Sequence, residues 1–228
     1  MKIQILGTRA KIEQTAPYHS KHSGVLVDGQ ILLDLGEKEY LDYKPRCIFI
    51  THLHPDHAFF VTEEIGELKN PVYAPETSER LKSVKKMPEI IKIEPYEVTS
   101  IPTHHSLKVK STAYLIESES DRILYTGDLI WINKEYHEKL KGIDLVITDG
   151  SFMRDKGMIR RDQDTGKLYG HNGIPNLVKL FKGLTKHMVF THFGSWFYRD
   201  IQKSRKKIEE LGNDVKVEAS YDGRIINL

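Results

Sequence analysis

Residues 50–60 read ITHLHPDHAFF and place His52, His54, Asp56 and His57 within six positions, directly behind the apolar run 47–50. Imidazole nitrogen and carboxylate oxygen are ligand atoms for zinc, and also for iron or manganese. Alternate residues of an extended stretch share a face, so His52 and His54 can aim at one point. Asp56 and His57 come after Pro55 and can aim at a second. Two ligands for each of two points suggest a dinuclear site. A lone histidine on a loop would be merely solvated, and a lone Asp56 would be a helix cap. Three histidines and an aspartate leaving one buried strand ask for metal chemistry.

Such a site needs further ligands, and they must come from other strand ends. The candidates are His104 and His105 in IPTHHS, Asp128 in YTGDL, His171 in YGHNGIP and His192 in VFTHFGSW. Each follows or adjoins a strand-like run. His137 and His187 lie in charged segments, and His19 and His22 lie in a turn-rich loop near the amino terminus.

The elements that must position these groups are short. KIQIL, GVLVD, ILLDLG, CIFIT, PVYAP, YEVTSIP, TAYLIES and RILYTGD read as strands, each bounded by turn residues. Asp28-Gly29 between two apolar runs predicts a hairpin. DLVITD, HMVFTH and VKVEAS continue the strands, and the apolar CIFIT and DLVITD suit strands buried on both faces. Helical patterns are expected over 56–69, 74–86, 133–142, 173–183 and 199–213. Two packed sheets with helices outside satisfy this order, in one domain spanning 1–228.

Composition limits the function classes. The 228 residues carry a net charge of +2, too near zero to argue for nucleic-acid or membrane binding on charge alone. No apolar run approaches the roughly 20 residues of a spanning helix. The opening MKIQILGTRAK reads as a strand and turn, not a signal peptide. Cys47 is the only cysteine, which excludes an internal disulfide framework and points to a reducing, cytoplasmic compartment.

Taken together, the motifs resemble the metallo-β-lactamase superfamily. His52, His54, Asp56 and His57 match its H-x-H-x-D-H signature, and His105, Asp128 and His192 match its later motifs. LLDLGE matches the upstream Asp motif, with Asp34 as a structural carboxylate near the site. The branch it resembles is that of tRNase Z and phosphodiesterase-like relatives, on ILGT, LLDLGE, TDGSF and GHNGIPNLVKLFKG…MVFTHFGSWFY. Pro55 stands where tRNase Z usually has Gly, and His171 precedes Asn172-Gly173 where that branch has Ser-Thr. No basic Gly/Pro-rich arm is visible. These departures argue for a substrate other than a tRNA 3′ end.

The resemblance implies an α+β fold, the four-layer αββα sandwich. It implies two divalent metal ions, zinc first, with manganese or iron as alternatives. One would take His52, His54 and His105, the other Asp56, His57 and His192, with Asp128 bridging; the residues alone leave His104 open beside His105. Two such ions would lower the pKa of a shared water and supply hydroxide at neutral pH. Asp56 would also orient that nucleophile. His171, held by Asp149, would protonate the leaving oxygen; alternatively His171 caps a helix or orients a ligand, and Asp149 is a turn residue. Metal affinity should fall in acid, because the ligands must be deprotonated.

The function expected first is hydrolysis of a phosphodiester, with a small-molecule or nucleotide-type substrate, or a nucleic acid, as partner. No membrane is involved, and an oligomer is compatible. A thioester or lactone hydrolase on the same scaffold is the alternative. A non-hydrolytic metal protein is third: the flavodiiron pattern has a carboxylate in its metal loop where this chain has His54, and no flavin domain follows. Residues 151–170 are polar and carry Arg154, Arg160 and Arg161, which suits either a substrate loop that pairs with phosphate or a solvated hairpin.

Overall fold

The computed structural model describes residues 1–228. Six short strands open the chain and lie side by side in sequence order: β1 (Lys2–Gly7), β2 (Gly24–Val27), β3 (Ile31–Leu33), β4 (Cys47–Phe49), β5 (Val72–Ala74) and β6 (Val84–Lys86). β1 to β3 are antiparallel, and β3 to β6 run parallel. The predicted hairpin joins β2 to β3, with Asp28 and Gly29 both at positive φ.

A second sheet follows from β7 (Ile90–Ile93), β8 (Tyr96–His104), β9 (Thr112–Glu117), β10 (Arg122–Tyr125), β11 (Trp131–Ile132) and β12 (Leu145–Asp149). The outer edge of β8 takes β7 along one half and β11 along the other. β13 (Met158–Arg161) and β14 (Leu168–His171) form a separate antiparallel hairpin. β15 (His187–Thr191) and β16 (Lys216–Ala219) extend the second sheet beyond β12 in parallel. The last strand, β17 (Ile225–Asn227), returns to the first sheet and pairs with β1.

Apolar periodicity explains the layers. Between the sheets, Ile3, Val25, Phe49 and Leu33 from one meet Tyr114, Ile116, Tyr125 and Ile147 from the other. On the outer face of the second sheet pack α1 (Ile174–Phe181), α2 (Ser195–Tyr198) and α3 (Ile201–Glu209). α1 buries Ile174, Leu177, Val178 and Phe181, the i, i+3, i+4, i+7 stripe of an amphipathic helix. The Asp200 side chain accepts from the Lys203 N–H and starts α3, a cap worth about 1 kcal/mol. On the outer face of the first sheet, Leu26, Leu32, Ile48 and Val72 pack against Tyr40, Phe59 and Phe60.

This order of layers is the αββα sandwich that the resemblance implies, with several differences from the expected elements. The outer layer of the first sheet holds 3₁₀ turns at Lys38–Tyr43 and Phe59–Val61 and no α-helix. The helix expected over 56–69 does not form. His57 and Phe59 exchange backbone hydrogen bonds with Leu35, so their amide and carbonyl groups are committed to the strand before them. The helix expected over 74–86 also fails. Its apolar Leu81 and Val84 have helical spacing, but β6 pairs with β5 there and Ser78 closes a turn through the Arg80 and Leu81 amides. Over 133–142 only the 3₁₀ turn Lys134–Tyr136 forms. β7, β11, β13, β14 and β17 were not expected as strands, being short and at sheet edges or in a hairpin.

Candidate metal centre

The parallel run β3–β4 and the parallel run β10–β12–β15 bring their carboxyl-terminal ends to one edge of the sandwich, and the polar residues leave from there. Asp34 follows β3, and Thr51 leads from β4 into the histidine loop. Asp128 follows β10, and Asp149 ends β12. His192 follows β15 with φ +56. His105 comes just after β8, and His171 ends β14.

Asp34 is fully buried and lies under the loop. Its carboxylate accepts from the Thr51 N–H (2.7 Å) and Thr51 Oγ1 (2.9 Å), from Tyr125 OH (2.7 Å) and from His57 Nδ1 (2.6 Å). The proton on His57 Nδ1 is therefore fixed, and Nε2 turns inward, 3.2 Å from Asp128 Oδ1. Thr51 Oγ1 gives its proton to Asp34 and accepts from His52 Nδ1 at 3.0 Å. His105 Nδ1 donates to the Gly170 carbonyl at 2.9 Å. Ser151 Oγ gives its proton to Asp149 (2.6 Å) and accepts from His192 Nδ1 (2.9 Å). The His57, His52 and His105 rings thus spend Nδ1 on a partner outside the cluster and present Nε2 to it, the arrangement that orients metal-ligating histidines. The His192 ring turns Nε2 to Asp56 and lays Nδ1 beside Asp128 as well as Ser151.

The inward atoms form two sets around one carboxylate. Asp128 Oδ2 lies 3.5 Å from His52 Nε2 and 3.4 Å from His105 Nε2, whose ring is 3.3 Å from His54 Nδ1. Asp128 Oδ1 lies 3.2 Å from His57 Nε2 and 3.1 Å from His192 Nδ1. His192 Nε2 is 3.0 Å from Asp56 Oδ2. His52, His54, His105 and Asp128 place one ligand atom each within 4.8 Å of one another, and so do Asp56, His57 and His192. All seven expected ligands are brought together.

The chemistry of these donors fits a cation. His52 Nε2 and Asp128 Oδ1 are buried without a hydrogen-bond partner, which costs about 1–3 kcal/mol for each polar group left so. Burial and the neighbouring rings push the His52 imidazole well below its ordinary value, and the His54 imidazole down to about 4. Burial also lowers His105. These rings are neutral lone-pair donors at pH 7. His57 and His192 behave oppositely. Burial lowers them, but Asp128 with Asp34 raises His57, and Asp128, Asp149 and Asp56 raise His192 to about 10. Burial opposes ionisation of Asp56 and Asp128 too, yet the surrounding imidazoles hold both well below the carboxylate range. The carboxylates demand positive charge, which divalent cations supply in exchange for those protons.

His171 and Asp149 are in contact: His171 Nδ1 donates to Asp149 Oδ2 at 2.8 Å. Asp149 also accepts from the Ser151 and Leu129 amides. Burial lowers His171, and the Asp149 and Asp128 charges outweigh it and raise the imidazole. His171 and Asp149 also fall with Asp128 and His192 in a third group of close ligand atoms. His104 points away: its Nε2 meets Asn133 Oδ1 at 2.8 Å and its ring stacks on Trp131. His19, His22, His137 and His187 bond to Thr8, Glu37, the Ile132 carbonyl and Glu218, all outside the cluster. Residues 158–171 are a hairpin whose Arg160 and Arg161 are exposed, and Arg154 lies over the Phe152 ring. A cleft of about 350 Å³ opens on the cluster, walled by Lys11, Ile12, Phe152, Met158 and Trp196. Thr51, Tyr125, Ser151 and the Gly170 carbonyl were not anticipated from the sequence.

Known proteins place this geometry in a family. Residues 38–193, from the first 3₁₀ turn to just past His192, match the family described as the beta-lactamase superfamily domain. The fold is similar to that of the metallo-beta-lactamase fold protein YhfI from Bacillus subtilis, at 19% identity and TM-score 0.72 over 99% of both chains. It is also similar to a diphosphatase from the PhnP family, at 16% identity and TM-score 0.70 over 100% of this chain and 97% of that one. Human tRNase Z, short form, aligns at 18% identity and TM-score 0.67 over 100% of this chain and 99% of that one. At such identities the likeness is one of fold. No curated protein sequence matches. Since the family match spans more than half of the chain and includes every histidine and aspartate of the cluster, this protein belongs to the beta-lactamase superfamily domain family.

Proposed function

We propose that the protein is a dinuclear metal-dependent hydrolase of phosphodiesters, with zinc as the first candidate metal and a small or nucleotide-type substrate. The observation that carries the two-metal reading is the split of Asp128: one oxygen faces His52 and His105, the other faces His57 and His192. His52, His54 and His105 would hold one ion, Asp56, His57 and His192 the other, and Asp128 both. Bound there, the pair would polarise a shared water and neutralise charge on the substrate.

The chain's own groups supply the rest. Asp56 lies at the cleft and can accept a hydrogen bond that orients the nucleophile. His171 also lines the cleft, and its Nδ1 is committed to Asp149. Its Nε2 is therefore the atom left to carry a proton to a departing oxygen. Asp149 keeps the imidazole oriented, and its charge raises the ring's proton affinity against the effect of burial. That a PhnP-family diphosphatase and a tRNase share the fold favours phosphorus over an acyl centre.

The test is metal content together with a substrate panel. Purified protein should bind about two equivalents of Zn²⁺ or Mn²⁺ and hydrolyse bis(p-nitrophenyl) phosphate. His171→Ala should retain the metal and lose roughly 10²–10⁴-fold in turnover, the usual range for a general acid. Strong lactone or thioester turnover with silent diesters would replace the phosphodiester reading with the acyl one.

A further inference from the structure

A cavity larger than the cleft over the cluster lies beside it. It is a groove of about 840 Å³ on the other side of His105, between the loop 105–111 and the hairpin end at Lys167 and Leu168. His105 borders both spaces. We propose that this groove binds the base and a phosphate of a nucleotide, with the His104–Trp131 pair as stacking platform and Lys108, Lys110 and Lys167 as anion partners. The inference rests on the phosphodiesterase reading only in assigning the bound nucleotide to the substrate.

The platform is built. β11 pairs with β8 so that Trp131 stands opposite His104. Their rings stack with centroids 4.3 Å apart and planes 23° from parallel. Asn133 Oδ1 accepts from both, at 2.8 Å from His104 Nε2 and 3.2 Å from Trp131 Nε1. The two rings are thereby fixed as one partly exposed aromatic surface lining the groove. A flat heteroaromatic ring extends such a stack, and the interaction tolerates any base because every base has a π face.

The charge is on the same walls. Lys108, Lys110 and Lys167 line the groove, with Glu76 as the acidic residue among its walls. Glu76 accepts from the Lys110 backbone N–H at 2.8 Å, so its carboxylate anchors the loop. The lysine–carboxylate pairs of the fold fall on Lys21, Lys92, Lys141, Lys206 and Lys216, away from this groove. Ser106 Oγ accepts from the Lys108 and Val109 amides and Ser111 Oγ donates to the Thr103 carbonyl, which gives the lysine loop a defined shape. A ring-stacking surface beside three uncommitted ammonium groups selects an aromatic phosphate over either part alone.

The test is equilibrium binding to the metal-loaded protein, with AMP, adenosine and inorganic phosphate as probes, followed by calorimetry. AMP should bind at least tenfold more tightly than adenosine or phosphate. Trp131→Ala should weaken AMP by roughly tenfold, within the range for loss of one base stack, and Trp131→Phe should restore most of it. Lys108→Ala with Lys110→Ala should weaken AMP and leave adenosine unchanged. Equal affinity for AMP and inorganic phosphate would overturn the proposal, as would AMP binding indifferent to both Trp131→Ala and the lysine pair. Should Trp131→Ala fail to fold, the lysine pair alone decides by the same readings. Hydrolysis of bis(p-nitrophenyl) phosphate by the unaltered protein is scored separately: its absence removes the phosphodiesterase reading and leaves the groove standing or falling on the nucleotide affinities.

Discussion

The inward-facing nitrogen of His57 is chosen by Asp34, and that of His52 by Thr51, which Asp34 also holds. One carboxylate that is not among the expected ligands therefore sets two of them. Asp34→Asn keeps the volume but puts an amide where four donors converge. At least one N–H must then face another donor, the Thr51 amide or the His57 ring according to which way the amide turns, and that group loses its acceptor. Metal affinity should fall by about 10- to 100-fold, the usual cost of removing such an orienting partner. Stability should fall by about 1–3 kcal/mol from unsatisfied buried polar groups. Competition with a chromophoric chelator and urea unfolding measure the two; unchanged metal affinity would exclude an orienting role for Asp34. At this scale the sequence was informative where a residue type is rare and clustered. Four ligand-type residues in six positions can hardly mean anything else, and LLDLGE pointed to Asp34 itself. Ser151 and the Gly170 carbonyl were invisible, because hydroxyls and backbone carbonyls occur everywhere and acquire a role only from who stands 3 Å away.

Strand ends carry the cluster, so the turns that leave those strands are as constrained as the ligands. Gly127 sits between Thr126 and Asp128 at φ +57, a left-handed conformation that side chains other than glycine rarely adopt. A Cβ there would also lie 2.5 Å from Thr51 Oγ1 and 2.7 Å from Thr51 Cβ. Gly127→Ala should destabilise the fold by about 1–3 kcal/mol through backbone strain alone. The clash should add displacement of Thr51 or Asp128, seen as metal content below that of the unaltered protein at equal free Zn²⁺. Full metal occupancy and an unchanged melting temperature would show that the turn relaxes without moving either residue. Among the elements, strands such as CIFIT and DLVITD were readable because continuous apolar runs of that length need cover on both faces. The segments 56–69 and 74–86 carried helical spacing and did not become helices. Backbone bonding of 57–59 to Leu35, and of β6 to β5, overrode a local preference worth only tenths of a kcal/mol per residue.

At the scale of the whole molecule, the chain's two ends are joined beside the site, and His19 is the joint. It follows β1 in the long connection to β2, and its ring packs edge-on against Phe197 and Phe193. Its Nδ1 lies 2.9 Å from Thr8 Oγ1, which gives its own proton to Asp222 ahead of β17. Thr8 can then only accept, so the His19 proton sits on Nδ1 and the neutral ring completes the chain of bonds. Nothing in the sequence pairs residue 19 with residues 197 and 222, since contacts across some 200 positions leave no local pattern. Burial lowers the His19 imidazole to about 4; the Asp222 charge opposes this without cancelling it. The folded value is thus below the unfolded one of about 6.5, and between the two the unfolded chain binds more protons than the native one. Stability is full above pH 6.5 and declines as pH falls toward 4, by about 2–3 kcal/mol at pH 4.5. Other buried histidines titrate as well, so the contribution is read as a difference. Urea unfolding of the unaltered protein and of His19→Phe, at pH 7.5 and pH 4.5, should show the variant less stable at pH 7.5 but less sensitive to acid by that amount. Equal acid sensitivity in the two proteins would mean that His19 does not stay neutral in the fold, and that the joint between the termini holds through Thr8 and Asp222 without it.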